Sequence, residues 1–145
     1  MDKKVQIEID SSPTPEDELI VWDGLRQYNE AHVPGAGDTA FAVFLRSEDG
    51  VIHGGVLARA GRGWLHISSL WVEASLRGQG YGTQLMAAAE AEGVRHGCHS
   101  AYLDTFSFQA PGFYKQRGYE VFGTLDAFPE GHQRFFMCKS LWAKP

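Results

Sequence analysis

The sequence has little cysteine and lacks any apolar run long enough to cross a membrane. Its two cysteines, Cys98 and Cys138, are too few for a disulfide framework. A membrane-spanning helix needs about 20 consecutive apolar residues, and the chain has no such stretch. The residues after Met1 form no apolar core of a signal peptide. We therefore expect a reduced, cytoplasmic protein without a membrane as partner.

Positive charge is also scarce. The 145 residues carry 13 lysines and arginines against 18 acidic residues, for a formal net charge of −5. Because a nucleic-acid binder must neutralise phosphates with clustered cations, this balance argues against nucleic acid as a partner. The hydrophobic fraction of 43% is ordinary for a globular protein. We expect one domain over residues 1–145, and exposed strand edges would allow a homodimer.

Hydrophobic periodicity predicts the element order β-α-β-β-β-α-β-α-β-β. Short connections make the early strands antiparallel neighbours, and a later strand–helix–strand unit predicts one parallel pair. The fold class that we expect is α+β, with a mixed, mostly antiparallel sheet of about seven strands flanked by helices. The predicted strands are residues 5–9, 39–46, 51–60, 64–72, 100–105, 119–122 and 133–142, and the predicted helices are residues 15–31, 80–96 and 108–117.

A glycine-rich turn stands between the strand that ends at Val72 and the helix that follows. Gly78, Gly80 and Gly82 remove Cβ atoms where a ligand would approach the backbone. The amides that open the helix point at one spot, with the positive end of the helix dipole behind them. Arg77 adds a positive charge at the edge. The turn is therefore predicted to bind an anion, in particular a phosphate.

Two other glycine motifs fit this turn less well. The dinucleotide fingerprint needs a third glycine where Thr83 stands, and the antiparallel strands upstream contradict a doubly wound sheet, although Asp104 lies at a suitable distance. A Walker A loop needs a lysine that is missing here. The remaining alternative is a turn that only joins strand to helix.

Two motifs resemble those of the GNAT superfamily of N-acetyltransferases. The pattern Arg77-x-x-Gly80-x-Gly82 looks like its motif A, and residues 110–119 resemble its A-x-x-F-Y-x-x-x-G-F signature. The resemblance covers essentially the whole chain, most strongly residues 64–122, and points to a small bacterial member. It implies a sheet splayed at an acetyl-CoA site, and direct transfer of the acetyl group to an amine in a ternary complex, without a metal.

The resemblance also assigns residues to the acetyl-CoA site. The amides of residues 77–83 would hold the pyrophosphate, and the backbone of the preceding strand would pair with pantetheine. A bulge at Ser68–Ser69 would open the sheet. Ser107 stands where the family often has asparagine. The predicted cofactor-binding residues are Leu70, Trp71, Val72, Arg77, Gly78, Gln79, Gly80, Tyr81, Gly82, Thr83, Ser107, Ala110 and Tyr114.

Three residues are candidates for catalysis. Tyr114 matches the family's tyrosine that protonates the leaving thiolate, and its alternative is a core tyrosine. His66 lies eleven residues before Arg77, where histone-acetylating relatives carry a glutamate base, and its alternative is a structural strand histidine. Glu73 is the second candidate base, and its alternative is an exposed loop carboxylate. Some family members use only a chain of water molecules.

The acceptor is not fixed by these motifs. A small amine is the first prediction, and a protein or peptide amine is the second. The first helix and the loop up to Asp38 would form part of the acceptor site. A different class, a non-catalytic acyl-CoA sensor on the same fold, stays open because fold does not determine function. Cys98 with His96 and His99 lacks the spacing of a structural zinc site, so no metal is predicted.

Overall fold

The computed structural model describes residues 3–35 and 37–142, which fall into an N-terminal unit, residues 1–36, and a larger unit, residues 37–145. The expectation of a single domain over residues 1–145 stays a prediction. None of the helices in the described ranges combines the length and the apolar character needed to cross a bilayer.

The N-terminal unit contains helix α1 (Pro15–His32). Its start is the one predicted from sequence. The side chain of Thr14 accepts a hydrogen bond from the Asp17 amide, Pro15 occupies the first turn, and acidic residues follow it. At the other end, the Val33 amide donates to the Asn29 carbonyl.

The prediction of a first strand over residues 5–9 was wrong. These residues form no β-ladder among the residues that the structure describes, and the sheet has six strands rather than about seven. Alternation of apolar and polar residues marks a segment that suits a half-buried strand. It does not supply the ladder partner on which a strand depends.

The larger unit is built on one sheet in the order β1-β2-β3-β4-β6-β5. Every neighbouring pair is antiparallel except β3 and β4, which are parallel. The strands are β1 (Thr39–Arg46), β2 (Ile52–Gly61), β3 (Trp64–Val72), β4 (Ser100–Phe106), β5 (Glu120–Asp126) and β6 (Gln133–Ser140), with α2 (Tyr81–Arg95) and α3 (Pro111–Gln116) after β3 and β4. The mixed, mostly antiparallel α+β prediction is confirmed.

The core lies between one face of this sheet and α2. Inward-facing residues of β2, β3 and β4 alternate with exposed ones, as expected for a sheet with one covered face. Gly93 of α2 permits a close approach, because a Cβ there would lie 2.9 Å from the Leu65 side chain. The buried core residues are Val56, Ala58, Ala60, Leu65, Ile67, Leu85, Met86, Ala89, Cys98, Ala101, Leu103, Tyr119 and Met137.

The sheet opens between β3 and β4. Their ladder contains only residues 64–66 paired with residues 100–102, although both strands continue beyond it. On the other side of β3, Leu57 pairs with Ser69 and Ala58 pairs with Ile67, so Ser68 is an extra residue. The Ser68 hydroxyl donates to the Leu57 carbonyl at 3.0 Å. This bulge lies at the place predicted from sequence, two residues beyond the last β3–β4 pair, and a bulge is a common device for bending a strand.

Helix α3 is shorter than predicted. The prediction placed it at residues 108–117 behind a Ser107 cap, but it begins at Pro111 with Ala110 as its N-cap. Proline suits a first helical turn because it has no N–H to satisfy. Ser107 is used elsewhere: its amide donates to the Gln133 carbonyl, and its hydroxyl accepts from the Gln133 amide.

Candidate active site

A cavity of about 910 Å³ occupies the gap between the diverging strands. One wall is the outer half of β3, another is the glycine turn with the start of α2, and a third is the end of β4 with α3. The glycine turn and Tyr114 therefore border one continuous space. Its lining residues are Ile67, Ser68, Ser69, Leu70, Trp71, Val72, Leu76, Arg77, Gly78, Gly80, Tyr81, Gly82, Thr83, Leu103, Asp104, Thr105, Phe108, Gln109, Ala110, Phe113 and Tyr114.

The start of α2 presents backbone donors to this cavity. The first hydrogen bond of the helix runs from the Gln84 amide to the Gly80 carbonyl at 3.2 Å, which leaves the amides of residues 81–83 without an intrahelical acceptor. Gly78 and Gly80 have φ angles of 76° and 87°, which other residues rarely adopt. Within the part of the chain that the structure describes, a Cβ on either glycine would have no atom beyond its chain neighbours within 4 Å, so the backbone faces open space.

Two arginines flank the same helix end. Arg77 lines the cavity, and its Nε donates to the Val72 carbonyl at 2.8 Å, which ties the turn to the end of β3. Arg117 comes from the residue after α3: its guanidinium donates to the Thr83 hydroxyl and stacks on the Phe113 ring. Sequence reasoning gave Arg117 no role. The helix dipole and both arginines favour an anion here.

Tyr114 stands on α3, at the wall opposite β3. Its ring packs edge-on against Phe113 and Tyr119, with centroid distances of 5.2 and 6.1 Å. Burial raises the pKa of the Tyr114 phenol, and the negative charge of Asp104 raises it further. The hydroxyl therefore keeps its proton at neutral pH and is a hydrogen-bond donor.

Asp104 is a second charged residue of the cavity wall. Its carboxylate forms an ion pair with Arg134 of β6, with a nitrogen–oxygen distance of 2.6 Å. The Arg134 guanidinium lies 5.0 to 5.3 Å from the ring centroids of Phe106, Phe128 and Phe136. The aromatic surroundings and the carboxylate hold this arginine in place.

His66 borders a second cavity, of about 600 Å³, at the inner end of the gap. The imidazole stacks on the Tyr102 ring with centroids 4.6 Å apart, at the last pair of the β3–β4 ladder. The next residues of both strands, Ile67 and Leu103, line the first cavity, so the two linings follow each other directly along β3 and β4. The second cavity is lined by Asp38, Arg59, Gly61, Arg62, Trp64, His66, Tyr102, Phe122 and Cys138.

Three predicted site residues lie apart from these cavities. Among the described residues, the cavity linings do not include Glu73, Gln79 or Ser107. Glu73 accepts a hydrogen bond from His53 Nδ1 at 2.9 Å, and the Gln79 side chain donates to the Ser75 carbonyl. The other predicted cofactor-binding residues all line the first cavity. Their assigned roles stay predictions.

The sequence matches a known family over most of its length. The model of the acetyltransferase (GNAT) family matches residues 5–119. A blasticidin-S acetyltransferase of Streptomyces morookaense is 36% identical over 102 residues, which cover 70% of this chain and 75% of that protein. An acetyltransferase of Agrobacterium fabrum is 33% identical over 116 residues, which cover 80% of this chain and 85% of the relative.

A solved structure shows the same fold. The crystal structure of a putative acetyltransferase from Agrobacterium tumefaciens is similar with a TM-score of 0.88 and 29% sequence identity. The alignment covers 94% of this chain and 99% of that one.

Proposed function

The chain belongs to the acetyltransferase (GNAT) family, and we propose that it transfers the acetyl group of acetyl-CoA to an amine of a small molecule. The observation that carries the proposal is the first cavity. It connects an anion-binding helix terminus to a protonated tyrosine along a strand edge that has no ladder partner. These features match an elongated ligand with a phosphate group at one end and a reactive thioester at the other.

The residues present fit acetyl-CoA. The amides of residues 81–83, with Arg77 beside them, are suited to the pyrophosphate. Beyond His66 the backbone of β3 has no partner on β4, so residues 70–72 are suited to hydrogen bonds with the pantetheine amides. When bound, acetyl-CoA supplies the activated acetyl group.

The proposed chemistry forms one bond and breaks another. The amine nitrogen bonds to the acetyl carbon, and the bond from that carbon to sulfur breaks. Tyr114 donates its phenolic proton to the departing CoA thiolate, since burial keeps this proton in place at neutral pH. The proton lost by the amine goes to a base on the acceptor side or to water.

Of the two candidate bases, the geometry favours His66. It lines the second cavity at the last β3–β4 pair, next to the point where the sheet opens, so an amine bound in that cavity would lie beside the imidazole. Glu73 is held by His53, whose other ring nitrogen lies 3.0 Å from the Ser47 hydroxyl. We therefore propose His66 as the base and a structural role for Glu73.

The proposed acceptor is a small molecule. One relative that is 36% identical is named for a small-molecule acceptor, blasticidin-S. The second cavity, of about 600 Å³, has the size typical of small-molecule pockets.

The test combines binding and turnover. Acetyl-CoA binding is measured by calorimetry, and CoA release is followed with a thiol reagent over a panel of polyamines, aminoglycosides, amino acids and peptides. Tyr114→Phe should lower kcat about 100-fold or more while the Kd for acetyl-CoA changes less than about twofold. Tyr119→Phe, which removes a hydroxyl from a neighbouring buried tyrosine, is the matched control.

Two outcomes would contradict the proposal in different ways. Absence of acetyl-CoA binding would contradict the assignment of the first cavity. Tight binding with no CoA release from any acceptor in the panel would favour an acyl-CoA sensor on the same fold.

A further inference from the structure

We propose that the second cavity binds the acceptor and selects amines that also carry a carboxylate on an aromatic scaffold, such as aromatic amino acids. This inference rests on the proposed acetyl transfer, because it assigns the acceptor class of the same reaction. It comes from three features of the cavity: its position, its aromatic walls and its charges.

Position makes this cavity the acceptor side. It begins at the last β3–β4 pair, His66 with Tyr102, and the first cavity starts one residue further along each strand. Side chains alternate between the two faces of a sheet, so His66 and Ile67 point to opposite faces. An amine bound here therefore reaches the gap in the sheet from the side opposite the core.

The walls are aromatic and exposed. Tyr102 uses one side of its ring to stack on His66, and the Trp64 ring meets it edge-on with centroids 5.9 Å apart. Trp64 is 38% exposed and Phe122 is 62% exposed. Large aromatic side chains left open around a concave site provide stacking and edge contacts for a flat apolar ring.

The charges of the lining are Arg59, Arg62 and Asp38, an excess of one positive charge in a protein whose formal net charge is −5. Arg62 lies 3.4 Å from Asp38, in a half-exposed pair that is weak in water. Across the described ranges, Arg59 takes part in no ion pair, so its guanidinium is available to a ligand.

These charges distinguish between acceptors. A plain aliphatic or aromatic amine would bring its positive charge to a lining that is already positive. An amine with a carboxylate places that group on Arg59, where a guanidinium makes two parallel hydrogen bonds.

The experiment uses matched acceptor pairs that differ only in the carboxylate. They are L-tryptophan with tryptamine, and L-phenylalanine with phenethylamine. We expect Arg59→Gln to lower kcat/KM for each amino acid about 10-fold and to leave kcat/KM for the decarboxylated partner unchanged or higher. Comparing variant with wild type cancels the different basicity of the two amines. Arg95→Gln, on α2 and paired with Glu92, is the control.

A binding measurement tests the proposed acceptor class without turnover. In the presence of CoA, calorimetry should show that N-acetyl-L-tryptophan binds about 10-fold more tightly than N-acetyltryptamine, and that Arg59→Gln removes this preference. Equal effects of Arg59→Gln on both partners, or a preference for the decarboxylated compounds, would overturn the inference. Turnover of polyamines or aminoglycosides without any of these preferences would overturn it and leave the proposed acetyl transfer intact.

Discussion

At the scale of single residues, Asp104 contributes to the raised pKa of Tyr114. Burial disfavours the tyrosinate, and the nearby carboxylate disfavours it further. A phenol whose pKa is raised is a weaker acid, but it is fully protonated over the whole physiological range. It can therefore offer its proton to the departing thiolate at any physiological pH and stabilise the negative charge that develops on sulfur.

The raised pKa of Tyr114 predicts the alkaline side of the pH–rate profile. The protonated donor is present below its folded pKa and is lost only as pH rises through that value, which lies above the ordinary value of about 10. We expect kcat at saturating substrates to stay level from about pH 8.5 to 10. Stopped-flow measurement of CoA release would check this. A falling limb centred below pH 9 that is absent in Tyr114→Phe would be inconsistent with Tyr114 as the acid.

The two candidate bases should respond differently to substitution. His66→Gln removes the proposed base from the lining of the second cavity, so we expect kcat to fall about 100-fold at neutral pH. Glu73→Gln changes a residue that binds His53, so we expect kcat to change less than about threefold. Steady-state kinetics at saturating acetyl-CoA measure both. A larger loss in Glu73→Gln than in His66→Gln would reverse the assignment.

Sequence patterns could predict the residues within each motif but not the partners that the fold brings to them. The glycine turn and Tyr114 are recognisable because each lies within a motif of consecutive residues in the sequence. Arg117 meets Thr83 across 34 positions, and Arg134 meets Asp104 across 30. Without knowledge of which strands and helices lie side by side, no spacing rule connects such pairs.

At the scale of elements, α2 and α3 cooperate at the anion site. They meet at Gly82, where a Cβ would lie at ordinary contact distance, 3.4 Å, from the Phe113 ring. The same contact places Arg117, just after α3, at the start of α2, where its guanidinium bonds the Thr83 hydroxyl. The positive end of α2 therefore gains a charge from a different element.

Removal of that charge should weaken the binding of acetyl-CoA. We expect Arg117→Gln to raise the Kd for acetyl-CoA about 5- to 10-fold at low salt and by less in 0.5 M NaCl, because salt screens a half-exposed charge. Calorimetry at both salt concentrations measures the effect, and Arg95→Gln at the far end of α2 is the control. An unchanged Kd at low salt would show that Arg117 joins α3 to α2 without contributing to the binding of acetyl-CoA.

Element boundaries were predictable where one signal dominates. Thr14 and Pro15 mark the start of α1, and alternation marks β1 to β3. The start of α3 was not predictable in this way. Serine is a favoured N-cap residue, and the sequence does not show that the backbone of Ser107 is already paired with Gln133. The same reason applies to residues 5–9. Their alternating pattern is typical of a strand, but it does not show whether another strand lies beside them to form a ladder.

At the scale of the whole molecule, the proposed acceptor site is the part that sequence describes least. Its lining comes from the segment before β1, from the ends of β2 and β3, and from β4, β5 and β6. The motifs from which the acetyl-CoA site is predicted are local in sequence, whereas this lining depends on the register of five strands. A one-residue shift in any of them would send a lining side chain to the other face.

A part-buried polar network also joins elements of the larger unit. The Tyr119 ring is fully buried, and its hydroxyl donates to Glu90 of α2 at 3.1 Å. Lys139 of β6 binds the same carboxylate at 2.9 Å. Burial, with the charge of Glu90 in second place, raises the pKa of Tyr119 well above its ordinary value.

This network predicts how the stability of the fold depends on alkaline pH. Above about pH 10 the unfolded chain releases the Tyr119 proton while the folded chain retains it, so the free energy of unfolding should fall as pH rises. Tyr119→Phe should lower that free energy by about 1–2 kcal/mol at pH 8, because it removes a hydrogen bond to a carboxylate, and should make the decline above pH 10 shallower. Urea unfolding followed by circular dichroism at pH 8, 9, 10 and 10.5 measures both effects. Tyr102→Phe, which removes a hydroxyl from a more exposed tyrosine, is the matched control, and an equal change in both variants would contradict a special role for Tyr119.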